Sequence, residues 1–181
     1  DQPNRNQWCH GDSARLSFAE LDRASDGLAF AFLEAGLQAD DFLIVQLPNI
    51  VELVVCYYAA SKLGIIVSPI PVQYGAHELR HISAAVNAGA MVTCDHYRNT
   101  ELAQNATAAL PDLNVLCCDR DLPTLEQLLN TDSKKRNQVQ QYQKENPVGA
   151  NHIATMCWTS GTTGTPKGVP RSHNMWFSTA L

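Results

Sequence analysis

Short apolar runs alternate with helix-length segments along most of this chain, and that alternation constrains the fold more than any other feature. "DFLIVQLP" (41–48), "IIVSPIP" (65–71), "AMVTC" (90–94) and "LNVLCC" (113–118) are strand-like, rich in β-branched residues and closed by Pro48, Pro69 and Pro71. Between them lie helical segments: "AELDRASDGLAFAFLEAG" ending at Gly36, the apolar "IVELVVCYYAASKLG" ending at Gly64, a segment from Gly75 to about Ala88, and one near 100–110. The first turns Leu21, Leu28, Phe32 and Leu33 towards a core. Strands separated by helices of this length imply right-handed βαβ crossovers, and so a parallel α/β sheet flanked by helices on both faces. "RLSF" (Arg15–Phe18) reads as one further short strand, and Leu122–Leu129 as a short helix.

The chain divides into a βαβ-repeating subdomain over 1–129, a polar surface connection over 130–150 with at most a helical turn, and a segment 151–181. That last segment holds a strand, a loop and the start of the next helix. There are no internal repeats. A hydrophobic content of 45% and a charged content of 17% describe a globular chain. The net charge of −5 argues against nucleic acid or an anionic membrane as partner, so any anion site must be local. No stretch is long and apolar enough for a membrane span, and the N-terminal residues do not form a signal peptide. The six cysteines contain no C-x-x-C pair, and Cys117 and Cys118 are adjacent, which favours a reduced, cytoplasmic setting.

That local site is "TSGTTGTPKG", Thr159 to Gly168. Gly161, Gly164 and Gly168 remove Cβ obstruction and permit positive φ, so backbone N–H groups can converge on an anion. Thr159, Ser160, Thr162 and Thr163 add hydroxyl donors, Lys167 adds a mobile positive charge, and Pro166 stiffens the loop. A Walker A loop needs Gly-Lys-Ser/Thr, whereas Lys167 here stands between Pro166 and Gly168; the dinucleotide pattern G-x-G-x-x-G is also absent.

The loop resembles the signature loop of the adenylate-forming, AMP-binding enzymes: acyl- and aryl-CoA synthetases, peptide-synthetase adenylation domains and luciferases. "LSFAELD" (Leu16–Asp22) and "SKLGIIVSPIP" (Ser61–Pro71) are similar to two earlier motifs of that family, in the same order. The resemblance implies the front part of the large N-terminal domain of such an enzyme. It implies ATP binding through Thr159, Ser160, Gly161, Thr162, Thr163, Gly164 and Lys167, which match the positions around the β- and γ-phosphates. A carboxylate then attacks the α-phosphorus, pyrophosphate leaves, and a thiol of coenzyme A or a carrier protein displaces AMP. Mg2+ is implied for the whole enzyme. The "CWTSGTTGTPKGVPRSHN" context is more similar to fatty- or aryl-acyl-CoA synthetases, so fatty acid metabolism is the expected setting. The elements expected to hold adenine, ribose, magnesium and the acyl chain lie beyond Leu181. The chain alone is therefore expected to be an inactive fragment without a catalytic residue of its own.

Other features compete. "HELRH" fits H-E-x-x-H, but Leu79, Ile82 and Val86 form the core side, placing His77 and His81 towards solvent, and Asn87 stands where the metzincin pattern continues. It reads as a coincidence, and no residue is assigned to a metal. His173 at the start of "NMWFSTAL" and Trp158 before the loop read as structural, and "KKR" (134–136) as a solvated run. Two rival readings stay open: a carrier-protein-loading adenylation domain and a non-catalytic nucleotide-binding module.

Overall fold

Ser17 decides where the first helix begins. Its hydroxyl accepts from the Glu20 amide at 3.3 Å while the Glu20 carboxylate accepts from the Ser17 amide at 2.8 Å, a reciprocal cap that starts helix α1 at Phe18 (Phe18–Glu34). Residues 12–17 therefore lead into a cap and pair with no strand, which corrects the expectation of a strand at Arg15–Phe18. The computed structural model describes residues 4–159 and 166–179.

After α1 the elements follow as β1 (Phe42–Gln46), α2 (Val51–Leu63), β2 (Ile66–Pro69), α3 (Ala76–Val86), β3 (Ala90–Thr93), α4 (Leu102–Ala109), β4 (Asn114–Cys117), α5 (Leu125–Leu129), α6 (Ser133–Glu145), β5 (Ile153–Thr159), β6 (Lys167–Ser172) and α7 (His173–Thr179). One six-stranded sheet runs in the order β4-β3-β1-β2-β5-β6. Every neighbouring pair from β4 to β5 is parallel, as the βαβ alternation implies; β6 adds an antiparallel edge to β5.

Alternation along the strands divides the core in two. Leu43 and Val45 of β1, with Ala90 and Val92 of β3, face a layer containing Phe32, Val55, Leu63, Leu128 and Val139 from α1, α2, α5 and α6. Ile44 and Met91 face the opposite layer, built from Leu79 and Ile82 of α3 and Ala106 and Ala109 of α4. Both layers exclude water, so the central strands read as continuous apolar runs.

The polar stretch after 130 is better ordered than its composition suggests. Asp132 caps α6 by accepting from the Lys135 amide at 2.9 Å. Only Val139 of that helix is fully buried. Docking is completed by polar groups: the Ala39 amide donates to the Tyr142 hydroxyl at 2.8 Å, and Arg136 Nε donates to the buried Asp26 carboxylate at 2.8 Å. Lys62 of α2 pairs with the same carboxylate and with Asp22, tying α1, α2 and α6 together. A pattern-based reading searches for an apolar stripe, and this helix docks through one valine, one tyrosine and an ion-pair cluster.

All six cysteines are unbridged, and no described helix is long and apolar enough to cross a membrane.

Candidate functional site

β5 ends at Thr159, at the carboxyl end of the parallel strands, where parallel α/β folds gather their ligands. Its apolar residues select a strand, and its last residues pair closely with β6: Trp158 with Gly168 and Thr159 with Lys167. The Thr159 hydroxyl donates to the Lys167 carbonyl at 3.4 Å, closing the mouth of the hairpin. Both residues are exposed. The structure therefore brings together Thr159 and Lys167, the two outermost of the expected phosphate-binding residues. Ser160, Gly161, Thr162, Thr163 and Gly164 lie outside the described residues.

Three supports hold this hairpin. Trp158 Nε1 donates to the buried Ser68 hydroxyl at 2.8 Å, fixing the end of β5 against β2. The indole also packs on the α3–α4 layer, the structural role read for it. Gly168 lies close over Met156, where a Cβ would stand 2.9 Å from Sδ and 3.3 Å from Cγ and push that side chain aside. The third support was not legible in the sequence. His81 Nε2 lies 3.2 Å from the Pro166 carbonyl oxygen, and its ring sits 6.4 Å from that of Trp158, edge to face. A carbonyl can only accept, so the proton is on Nε2.

This corrects the expectation that His81 of "HELRH" points to solvent, as His77 does. His77 is exposed, whereas His81 is half-buried against the stem of the loop. Helical spacing put His81 off the core stripe of α3; only the tertiary path of β6 shows what covers it. Among the described residues no third ligand joins the pair in a metal-holding cluster.

His173 opens α7 beside the hairpin. It lies next to His152, ring centroids 6.5 Å apart, and its pKa is lowered, first by burial and then by His152. With Tyr57, Tyr58, Ser61, Thr155 and Trp176 it lines a groove of about 410 Å³ on the α2 side of β5. Trp176 is held there by donating from Nε1 to the Thr155 hydroxyl at 2.9 Å, and burial pushes the Tyr57 hydroxyl up to about 12, so the phenol is neutral. A larger cavity of about 670 Å³ lies elsewhere, between the N-terminal segment and α5, and includes Arg5, His10, Glu52 and Asp119. It shares no residue with the hairpin, and the candidate site is taken from the pairing of Thr159 with Lys167, not from cavity size.

Chemically, the hairpin offers an exposed ammonium, an exposed hydroxyl and a glycine-rich connection at the end of a parallel strand. An exposed ammonium and an exposed hydroxyl so placed suit an anion.

The sequence model of the AMP-binding enzymes matches residues 1–181. The chain belongs to the AMP-binding enzyme family. It is 29% identical to enterobactin synthase component E of Escherichia coli over 90% of this chain and 30% of that protein. It is 32% identical to the 2-hydroxy-7-methoxy-5-methyl-1-naphthoate–CoA ligase of Streptomyces carzinostaticus over 88% of this chain and 30% of that protein. Human mitochondrial medium-chain acyl-CoA ligase ACSF2 is 28% identical over 90% of this chain and 30% of its own length. The chain thus spans about a third of the length of the relatives it matches. Among solved structures, ATP-bound MatB of Rhodopseudomonas palustris superposes with a TM-score of 0.68 at 26% identity, covering 93% of this chain and 32% of that one. A benzoate CoA ligase of Burkholderia xenovorans reaches a TM-score of 0.71 at 17% identity, over 97% and 34% of the two chains, a likeness of fold.

Proposed function

We propose that this chain is the phosphate-loop portion of an ATP-dependent carboxylate-activating ligase that uses coenzyme A, with a fatty or aryl acid as substrate. The observation that carries the reading is the pairing of Thr159 with Lys167 at the carboxyl end of β5, which puts the glycine-rich loop between them. In this reading Thr159, Ser160, Gly161, Thr162, Thr163, Gly164 and Lys167 hold the β- and γ-phosphates of ATP. The carboxylate attacks the α-phosphorus, pyrophosphate departs, and the thiol of coenzyme A displaces AMP from the acyl-adenylate. Donors placed on the departing pyrophosphate lower the barrier because negative charge accumulates there as the bond breaks. Trp158 and His81 hold the two described ends of the loop, through Ser68 and the Pro166 carbonyl. Mg2+ arrives with the nucleotide, and no residue of this chain is assigned to it. The six unbridged cysteines support a reducing, cytoplasmic location. Enterobactin synthase component E, named as part of a synthase, supports a second reading with a carrier-protein thiol as acceptor.

ATP–pyrophosphate exchange, measured on the protein expressed from the complete reading frame with a panel of fatty, aryl and amino acids, tests this reading. Acid-dependent exchange is expected, with Lys167→Ala slower by about 10²- to 10³-fold, the usual cost of losing one donor to a developing charge. Absence of exchange with every acid from a folded protein, or an unimpaired Lys167→Ala, overturns it.

A further inference from the structure

The N-terminal segment crosses the carboxyl edge of the sheet, and there it sets His10 against Asp95 and His96, two residues just past the end of β3. One ligand atom from each of the three lies within 4.8 Å of the other two. His10 and His96 meet edge to face, ring centroids 4.6 Å apart, and His10 Nε2 lies 3.8 Å from Asp95 Oδ2. The other carboxylate oxygen is engaged: Arg120 Nη1 contacts Asp95 Oδ1 at 3.1 Å. The Asp95 amide donates to Asp119 Oδ2 at 2.8 Å, which fixes the backbone from which the carboxylate springs. Arg120 thus orients the carboxylate and leaves Oδ2, the oxygen facing His10, for another partner.

The geometry points to a binding site for a divalent transition-metal cation of the zinc type, with His10, Asp95 and His96 as ligands and water completing the shell. Two imidazoles and one carboxylate suit a borderline cation, and three protein ligands with an open position are a common zinc set. Ligand distances of about 2.0 to 2.2 Å in a tetrahedron separate the ligand atoms by roughly 3.3 to 3.6 Å. Closing from the present spacing takes modest side-chain rotations. His10 has the freedom to make them, since its side chain is 56% exposed. Locally, the carboxylates of Asp95 and Asp119 outnumber the guanidinium of Arg120, so the site favours a cation.

Backbone placement requires no metal. The Arg98 amide donates to the Trp8 carbonyl at 2.7 Å, Trp8 packs edge to face on Tyr97 with centroids 5.7 Å apart, and Cys9 is buried. Arg5 forks onto the Glu52 carboxylate through two bonds of 2.9 Å. His10 is therefore held near its partners in advance, and the cation does not have to order the segment. A bound ion would clip the N-terminal segment to the β3–α4 connection across 85 residues of sequence. Buried thiols lie close by: Cys94 Sγ donates to the His96 carbonyl at 3.4 Å. The test must separate imidazole from thiolate ligation.

Co2+ titrated into the metal-free protein, followed by its visible d–d absorption, provides that separation. One saturable equivalent is expected, without a thiolate-to-cobalt charge-transfer band. Zn2+ should displace it and raise the melting temperature of the unmodified protein. His10→Ala and His96→Ala, each checked for folding by circular dichroism, should each weaken binding about tenfold or more, while His77→Ala leaves it unchanged. His10 is on the surface, so its variant keeps the test open should His96→Ala fold poorly. Absence of saturable binding, binding indifferent to His10→Ala, or a charge-transfer band reporting cysteine ligation overturns the site. Adenylation activity is not read in any arm, so the outcome is independent of the proposed function.

Discussion

β1 and β6 belong to one sheet and are built on opposite principles. Leu43, Ile44 and Val45 of β1 are sealed between two helical layers, and parallel neighbours on both sides satisfy the backbone. Lys167 to Pro170 of β6 are exposed, the strand is antiparallel, and its one neighbour among the described residues is β5. Even β5 joins the sheet by a single registered pair, Val67 with Thr155. The difference teaches where burial and exposure separate: apolar burial fixes the frame, and the frame carries a hairpin whose Thr159 and Lys167 stay exposed. Substitutions should sort along the same line.

The steepest loss is expected in the frame. Phe32 is fully buried between α1 and the sheet, and Phe32→Ala should cost about 3 to 5 kcal/mol, read from the urea midpoint. A loss below about 1 kcal/mol breaks the comparison, because this face would then be no better packed than the hairpin. Next comes an alkaline effect on α2. Burial pushes the Cys56 thiol and the Tyr57 phenol up to about 12, so both stay neutral in the folded state while the unfolded chain ionises them earlier. The unfolded state then binds fewer protons, and stability falls as pH rises from about 9 to about 12. Urea midpoints at pH 8 and pH 11 check this: wild type should drop more than Cys56→Ala, and equal drops refute the role of the thiol.

A smaller and more diagnostic effect is expected at Gly27, in the middle of α1. Alanine there improves helix propensity by about 1 kcal/mol in an isolated helix. In this fold its Cβ would stand 2.2 Å from Thr131 Oγ1, 3.1 Å from Leu128 Cδ2 and 3.3 Å from the Leu128 carbonyl, so Gly27→Ala should destabilise by about 1 to 3 kcal/mol. A gain in melting temperature would show that α5 yields. The smallest effect sharpens the contrast: Lys167→Ala, exposed at the hairpin mouth, should change stability by no more than about 0.5 kcal/mol despite its large expected effect on pyrophosphate exchange. A clear shift in melting temperature would mean that the lysine also supports the fold.

What was legible in the sequence follows local rules. The alternation of strand and helix, the breaks at Gly36, Gly64, Pro48 and Pro71, and the glycine-rich loop all act over a few residues, and a linear reading finds them. Where the reading slipped, a local competitor or a distant partner was responsible. At Ser17 a capping box outcompeted a strand, although Ser and Glu stand at the tell-tale spacing. In α6 the apolar stripe is replaced by Val139, Tyr142 and Arg136, whose partners Ala39 and Asp26 lie about a hundred residues away. His81 differs from His77 only in what the fold lays over it.

By itself, then, the sequence determined the α/β class, the parallel sheet and the family, because periodicity and a ten-residue loop are properties of contiguous chain. Tertiary structure alone decided which face each strand shows to which layer, that β6 runs antiparallel, that His81 braces the loop stem, and that His10 meets Asp95 and His96. Apart from the β5–β6 hairpin, which joins neighbours in sequence, those are contacts between residues far apart in the chain. They depend on how the crossovers wind and where the strands end, and no local pattern encodes them.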